Sequence, residues 1–371
     1  AGNVRVEGLY FDRQSPGPYE IFTNPLVSGS SVHVGLSAQS YPFPAPTGIA
    51  DVRLRIPGDK LIGSAVFGYG PYAKVFTEVD GEIPIIEDRL SVGVGLGYTK
   101  DDNPYGARPD NILAAFVGRW RPSENIEILP FWSFKKTNGL GRRPGVYTGG
   151  PYLPPRIERH VLYSQRWFPN KIADLNFGVI ANTTLSDNWR LKAGVFRSLV
   201  VRDTWSVSLF RNTQADGTAD ESVVFFPRQE FGSVSGEVSL SSVMTTGTWR
   251  HTVHIAGRGR VVARDFGGSD TKSLGKATIG VVRVLPEPTY TFSALSTDRG
   301  RQGTGGVTYE GVWGRFAEFS LGLQKTYYRR TLKQPNAPED ITRDSPWLPT
   351  ATIAVHATDK LAAFGSYTRG L

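Results

Sequence analysis

Cysteine is absent from this chain of 371 residues, which excludes both a disulfide framework and a thiolate metal site. Long apolar runs are absent too. The longest clean one covers residues 112–117, far short of the roughly 20 residues a spanning helix needs. The chain therefore crosses a bilayer as strands or not at all. Histidine is scarce: residues 33, 160, 251, 254 and 356 are scattered, with no His-x₃-His on a helix, which speaks against a zinc site. No glycine-rich loop opens a helix, as a phosphate cradle requires, and no Gly-x-Ser-x-Gly elbow occurs. The carboxylates of residues 216–221 lack the spacing of a calcium loop and are expected in an exposed turn. No two carboxylates can be placed across a cleft as glycan hydrolysis would need, so the expectation is a protein without catalytic residues, resident metal or cofactor. No signal peptide is visible at Ala1, from which a processed or truncated start is expected.

What the chain does contain is glycine, 42 residues, and aromatics at 12%, a combination suited to pleated strands, aromatic edges and many turns. A mean hydropathy of −0.25 is compatible with a barrel whose lumenal and lipid-facing residues average out. The net charge of +8 invites a nucleic-acid reading. The arginines, however, are dispersed over alternating strands and loops rather than clustered on one helix, which fits a solvated lumen and its loops. No nucleic-acid partner is expected.

Residues 90–98 read Leu-Ser-Val-Gly-Val-Gly-Leu-Gly-Tyr. Leu90, Val92, Val94, Leu96 and Tyr98 share one face, and Ser91, Gly93, Gly95 and Gly97 the other, the period of a strand with unlike faces. The second face is small, leaving room for something to lie against it. Similar segments recur to the end. Trp189, Leu191, Ala193 and Val195 alternate with Arg190, Lys192 and Gly194; Val234, Gly236, Val238 and Leu240 alternate with Ser235, Glu237 and Ser239. Arg250, Thr252, His254, Ala256, Arg258 and Arg260 oppose Val253 and Ile255.

Short turns are expected at 121–124, 186–188, 245–248, 314 and 358–360, and long loops at 100–111, 136–170, 203–231, 265–302 and 331–349. Short turns at one end and long loops at the other are the sidedness of an outer-membrane barrel. Trp120, Trp132, Trp189, Trp249 and Trp313 fall at or near strand ends, as an aromatic girdle would. The fold class expected is all-β, an antiparallel transmembrane β-barrel. From residue 60 about thirteen strands are counted, an odd number where single-chain bacterial barrels have an even one. An open edge in lipid is prohibitively costly, so further strands, in cis or on another chain, are expected to complete it. A pairing of residues 361–370 with 60–68 would contradict that.

Residues 4–12, Ser31-Val-His-Val-Gly and Tyr41-Pro-Phe-Pro-Ala-Pro-Thr-Gly-Ile-Ala-Asp-Val-Arg-Leu-Arg55 resemble the later part of the plug domain of TonB-dependent outer-membrane receptors. Arg119-Trp-Arg-Pro122 and Ser366-Tyr-Thr-Arg-Gly-Leu371 are similar to the barrel of the ferric-siderophore members. Thr47-Gly-Ile-Ala-Asp51 departs from the Gly-Gly-x-Val-Asn common there. The resemblance divides the chain into part of a plug at 1–57 and barrel strands at 58–371, incomplete against the family's roughly 22 strands. It implies active uptake of a scarce, bulky ligand in the Gram-negative outer membrane, driven by the TonB complex, with iron present only inside a transported chelate. Outer-membrane lipid and lipopolysaccharide are the other expected partners. A passive porin and a soluble extracellular glycan-active β-protein stay open as alternatives.

Ligand contacts are expected from the long outer loops and the plug tips. The loop 136–170 holds Arg142, Arg143, Arg156, Arg159 and Arg166 among Tyr147, Tyr152, Tyr163 and Trp167. Guanidinium and aromatic surface suit an anionic, partly aromatic chelate; a loop that packs on its neighbours or meets lipopolysaccharide phosphates is the competing reading. In the plug, the resemblance places Arg13, Gln14, Tyr19 and Phe22 under the ligand.

Overall fold

The computed structural model describes residues 3–14, 24–34, 43, 48–140, 143–358 and 361–370. Four short strands make an inner sheet: β1 (Asn3–Val6), β2 (Leu9–Phe11), β3 (Val27–His33) and β4 (Ile49–Leu54), in the order β2-β1-β4-β3. β1 and β2 form a hairpin with Val6 opposite Leu9. The intervening Glu7 and Gly8 both have positive φ, 51° and 78°, as a two-residue primed turn requires. The chain thus reverses where one extended stretch was expected. β1 then lies parallel to β4, and β3 antiparallel to it.

The outer sheet comprises β5 (Ile62–Tyr69), β6 (Val75–Ile86), β7 (Leu90–Lys100), β8 (Asp110–Ser123), β9 (Ile126–Leu140), β10 (Gly145–Thr148), β11 (Pro169–Thr184), β12 (Trp189–Thr213), β13 (Thr218–Phe226), β14 (Gln229–Thr246), β15 (Trp249–Gly267), β16 (Asp270–Thr278), β17 (Leu295–Trp313), β18 (Ala317–Lys333), β19 (Asp340–Asp344), β20 (Trp347–Thr358) and β21 (Leu361–Thr368). Its long strands follow one another antiparallel: β5 to β9, then β11, β12, β14, β15, β17, β18, β20 and β21. Strand order sets β21 next to β5, yet the residue registers hold β21 to β20 and β5 to β6. Both are exposed along almost their whole length on both faces, as strands with one neighbour are. Among the described residues no helix is long and apolar enough to cross a membrane.

Three sequence expectations need correction. The connections 136–170, 203–231, 265–302 and 331–349 are partly strand, and β10 within the first lies parallel to the far part of β12. β12 and β18 run on into these connections, and β13, β16 and β19 pair with each other or with those extensions, so the backbone groups there are satisfied by ladders. The turn expected at 121–124 comes later, because β8 continues through Pro122 while Arg121 N–H donates to Arg89 O at 2.7 Å. Trp132 lies midway along β9, although it faces outward.

The opening pattern of β7 holds. Leu96 is 60% exposed, whereas Ser91 is buried and donates from Oγ to Pro57 O at 3.0 Å. A Cβ on Gly93 would touch Pro57, and one on Gly95 would run into the ring of Pro25. The small face is small because the segments that flank the inner sheet, at Pro25 and at 55–57, lie on it.

Elsewhere the lumenal face is less polar than its sequence pattern suggested. Val6, Leu9, Phe11, Val52 and Leu54 of the inner sheet, with Leu26 of the turn that enters β3, share one core with Ala115, Val117, Leu129, Phe131, Ile180 and Phe196 of β8, β9, β11 and β12. Phe11 meets Phe196 edge to face with centroids 5.8 Å apart. Each such large side chain contributes about 2–3 kcal/mol on full burial, so apolar packing fixes the inner sheet to this arc of wall. Arg55–Asp80 at 2.8 Å and Arg121–Asp59 at 2.9 Å pin the connection that follows.

Candidate functional site

Past β2 the chain leaves its sheet and runs along the wall as Asp12-Arg13-Gln14. Asp12 N–H donates to Ser235 Oγ at 2.9 Å, Gln14 N–H to Ser198 Oγ at 3.0 Å, and Ser233 Oγ donates to the Asp12 carbonyl. The side chains are held as firmly. Arg260 reaches Asp12 at 2.9 Å, Arg264 Nε donates to Gln14 Oε1 at 2.9 Å, and Arg13 meets Asp174 at 3.2 Å. Asp298 accepts from Arg330 Nε at 2.9 Å and lies 3.5 Å from Arg264.

Four arginines, 13, 260, 264 and 330, thus meet three aspartates, 12, 174 and 298. The aspartates are almost fully covered, whereas the side chains of Arg260, Arg264 and Arg330 are 30%, 34% and 40% exposed. Arg260, Arg264 and Arg330 therefore keep part of their guanidinium surface exposed after their internal partners are satisfied. The surplus positive charge, half-exposed above nearly covered aspartates, suits a bulky anion.

Beneath this floor the seam is buried. Arg5 lies 3.1 Å from Glu237, both essentially without solvent, and donates to Gly8 O at 2.6 Å. Arg258 stands over the rings of Tyr10 (5.0 Å) and Phe43 (4.6 Å). Burial, and then the charge of Asp12, push the Tyr10 hydroxyl up to about 12 against the opposing pull of Arg260 and Arg258.

The residues expected from the sequence divide. Arg13 and Gln14 do come to the inner sheet's lumenal edge, but as wall contacts: Gln14 is fully buried. Tyr19, Phe22 and Arg142 lie outside the described residues. In the outer loop, Arg143 and Arg156 are exposed, and Arg143 lines a hollow of about 680 Å³ with Arg159 and Tyr105. Tyr147 is exposed beneath the Arg211 guanidinium at 6.0 Å, and Tyr152 donates to Gln214 at 3.2 Å. Trp167 is packed: its Nε1 donates to Leu285 O at 2.7 Å and its ring stacks on Phe225, within a core that includes Phe168 and Val223. The loop does not bring these side chains to one point. The arginines that do converge come from β15 and β18, and the alternation of Arg258, Arg260 and Arg264 on one strand face was the signal for them.

No family model matches the sequence, and no curated protein does. Solved structures do match. The ferric preacinetobactin receptor BauA of Acinetobacter baumannii superposes over 99% of this chain and 55% of its own length, with a TM-score of 0.83 at 16% identity. The ferric-catecholate import receptor Fiu of E. coli K12 does so over 99% and 62%, with 0.79 at 12%. The pyoverdine outer membrane receptor FpvA of Pseudomonas aeruginosa PAO1 gives 99% and 55%, with 0.80 at 12%. This is the fold of the siderophore receptors. The likeness is one of fold, and the chain spans a little over half the length of the siderophore receptors it matches.

Proposed function

We propose that this chain is part of a TonB-dependent receptor of the Gram-negative outer membrane that takes up a bulky anionic chelate, a ferric siderophore. Residues 1–57 belong to its plug, residues 58–371 to its barrel, and further strands, in cis or on another chain, complete the wall. The single observation that carries this reading is the half-exposed row Arg260, Arg264 and Arg330 above the segment 12–14. An obstruction topped by lumen-facing guanidinium groups collects an anion and then has to move before anything passes. A passive porin would need an open lumen at this arc of wall, where the inner sheet shares an apolar core with it.

Iron uptake tests the reading. In cells lacking their own siderophore receptors, the complete polypeptide is given radiolabelled iron on a panel of catecholate, hydroxamate and carboxylate chelates, with and without an uncoupler of the proton-motive force. We expect accumulation of one chelate class, abolished by the uncoupler, and a fall in apparent affinity of about ten-fold in Arg264→Ala/Arg330→Ala. Uptake indifferent to the uncoupler would establish the porin instead; no uptake of any chelate would remove the siderophore.

A further inference from the structure

Three connections at the long-loop end meet at one buried carboxylate. They are the turn 70–74 between β5 and β6, the loop 101–109 between β7 and β8, and the segment 149–168 between β10 and β11. The carboxylate is Asp102. Its side chain is 4% exposed and lies 2.6 Å from His160 Nε2 and 3.1 Å from Arg108 Nε. His160 N–H donates to Pro104 O at 2.6 Å, and the His160 ring stacks on Tyr72 with centroids 4.6 Å apart. One histidine thus ties its own segment to the other two.

The junction is close, and it is held under strain. Asn103 N–H donates to Ala107 O and Gly106 N–H to Asn103 O, which curls 101–109 into a compact loop. Gly106 has a φ of 77°, and a Cβ on it would lie 2.5 Å from Leu162 N. The two backbones pass so near only because glycine stands there. The stacked pair, His160 and Tyr72, have φ of 64° and 58°, a region that residues other than glycine occupy at a cost. Such residues persist where their surroundings over-determine them, and they gather at switches. One of them costs about as much as a charge-assisted hydrogen bond returns. A single charge is therefore enough to tip the junction between holding and letting go.

The side chain at its centre is one that changes charge between about pH 5 and 8. An ionised carboxylate only accepts, so at 2.6 Å His160 Nε2 carries the hydrogen, and charging adds a proton at Nδ1. That charge strengthens two contacts at once. The bond to Asp102 becomes an ion pair, and the ring on Tyr72 becomes a cation over an aromatic face. The surrounding groups pull both ways. Arg108 shares Asp102, Arg159 and Glu158 flank His160 in the chain, and Arg166, Lys171 and Asp110 line a hollow of about 730 Å³ with it. Asp110 accepts from Tyr98 at 2.6 Å, and Asp101 is paired with Lys74 at 3.3 Å. A second hollow, of about 680 Å³, has among its walls Pro104, Tyr105, Arg143, Arg159 and Val161. Its walls therefore include the residues on either side of His160, and parting the junction opens it.

We propose that His160 is a proton-operated clasp on these connections. Charged, it holds 149–168 against 101–109 and against the turn at Tyr72; neutral, it releases them and opens the hollow beside Tyr105, Arg143 and Arg159. What the release does for uptake rests on the function proposed above, but the clasp is measured without any chelate. The complete receptor, in lipid nanodiscs, is spin-labelled at Lys100→Cys, on the exposed end of β7, and at Arg156→Cys, exposed in 149–168. The distance between the labels is read by double electron–electron resonance at about pH 5.5 and about pH 8.5. We expect one narrow distance in acid, and a longer, broader population about five-fold larger or more at the higher pH. His160→Gln, which still donates to Asp102 but takes no charge, should give one distribution at both pH values. Asp102→Asn should show the longer distance at both. Folding of each variant is checked by its heat-modifiable migration on gels; if Asp102→Asn fails that check, the parent and His160→Gln decide alone. Identical distributions in the parent at the two pH values, or a pH response that survives His160→Gln, overturns the clasp. A clasp that answers to pH in a receptor that takes up no chelate overturns the proposed function instead.

Discussion

At the scale of residues, the seam between inner sheet and wall is built from buried charges that each need a partner. Arg5 without Glu237 would leave a guanidinium out of water beside Arg258, and removing one member of a buried pair costs about 3–5 kcal/mol. Tyr10 is the group whose ionisation reports on this environment. Its hydroxyl is raised from 10.0 to about 12, so the folded form keeps the proton after the unfolded chain has lost it. The sign follows from linkage: the contribution of Tyr10 to stability is complete below pH 10 and lost as pH rises from 10 to about 12, by about 2–3 kcal/mol. Thermal melting in detergent between pH 9 and 12.5 should show Tyr10→Phe losing less stability than the parent across that window. Parallel curves for the two would mean that Tyr10 is not held as described.

At the scale of elements, the alternation of β7 shows what a sequence can disclose. Small residues on one face of 90–98 announced that something lies there, and Pro25, Arg55 and Pro57 do. The cost of filling that space belongs to the contact between β7 and the inner sheet. Gly95→Ala drives a methyl group into the rigid ring of Pro25 and should cost about 1–3 kcal/mol. Gly63→Ala on β5, where a Cβ meets nothing within 4 Å, should be nearly neutral. Hydrogen exchange across Val27–His33 should accelerate in the first variant and stay unchanged in the second; equal protection in both would break the link between a small face and a seated inner sheet. What was hidden is of another kind. The periodicity of a strand tells its two faces apart but not where its pairing stops, so β13, β16 and β19 passed for loops. The loop arginines and aromatics around Trp167 were read by composition, and composition does not distinguish a ring stacked on Phe225 from one that waits for a ligand. Arg260 and Arg264 share a face of β15 that the alternation disclosed, but Arg330 comes from β18, and only the register of β15, β17 and β18 brings it to the same floor.

At the scale of the whole molecule, the proposed function requires one assignment of sides: long connections outside the cell, short turns in the periplasm. Trp249 and Trp313 border one edge of the apolar band, Tyr327 and Trp347 the other, and the lumenal arginines lie nearer the second. If the orientation were reversed, that floor would face the periplasm and collect nothing from outside. Because the sequence has no cysteine, the assignment can be tested without a background of native thiols. Thr248→Cys sits in an exposed short turn between β14 and β15, and Ala337→Cys in the exposed connection between β18 and β19. Neither side chain supports the fold, so both variants should reach the membrane at parental levels. A maleimide too large to cross porins should label Ala337→Cys on intact cells within minutes and Thr248→Cys only after the outer membrane is opened. Labelling in the reverse order would invert the molecule and leave its arginine floor facing the wrong compartment; labelling of both on intact cells would mean that no bilayer separates the two ends of these strands.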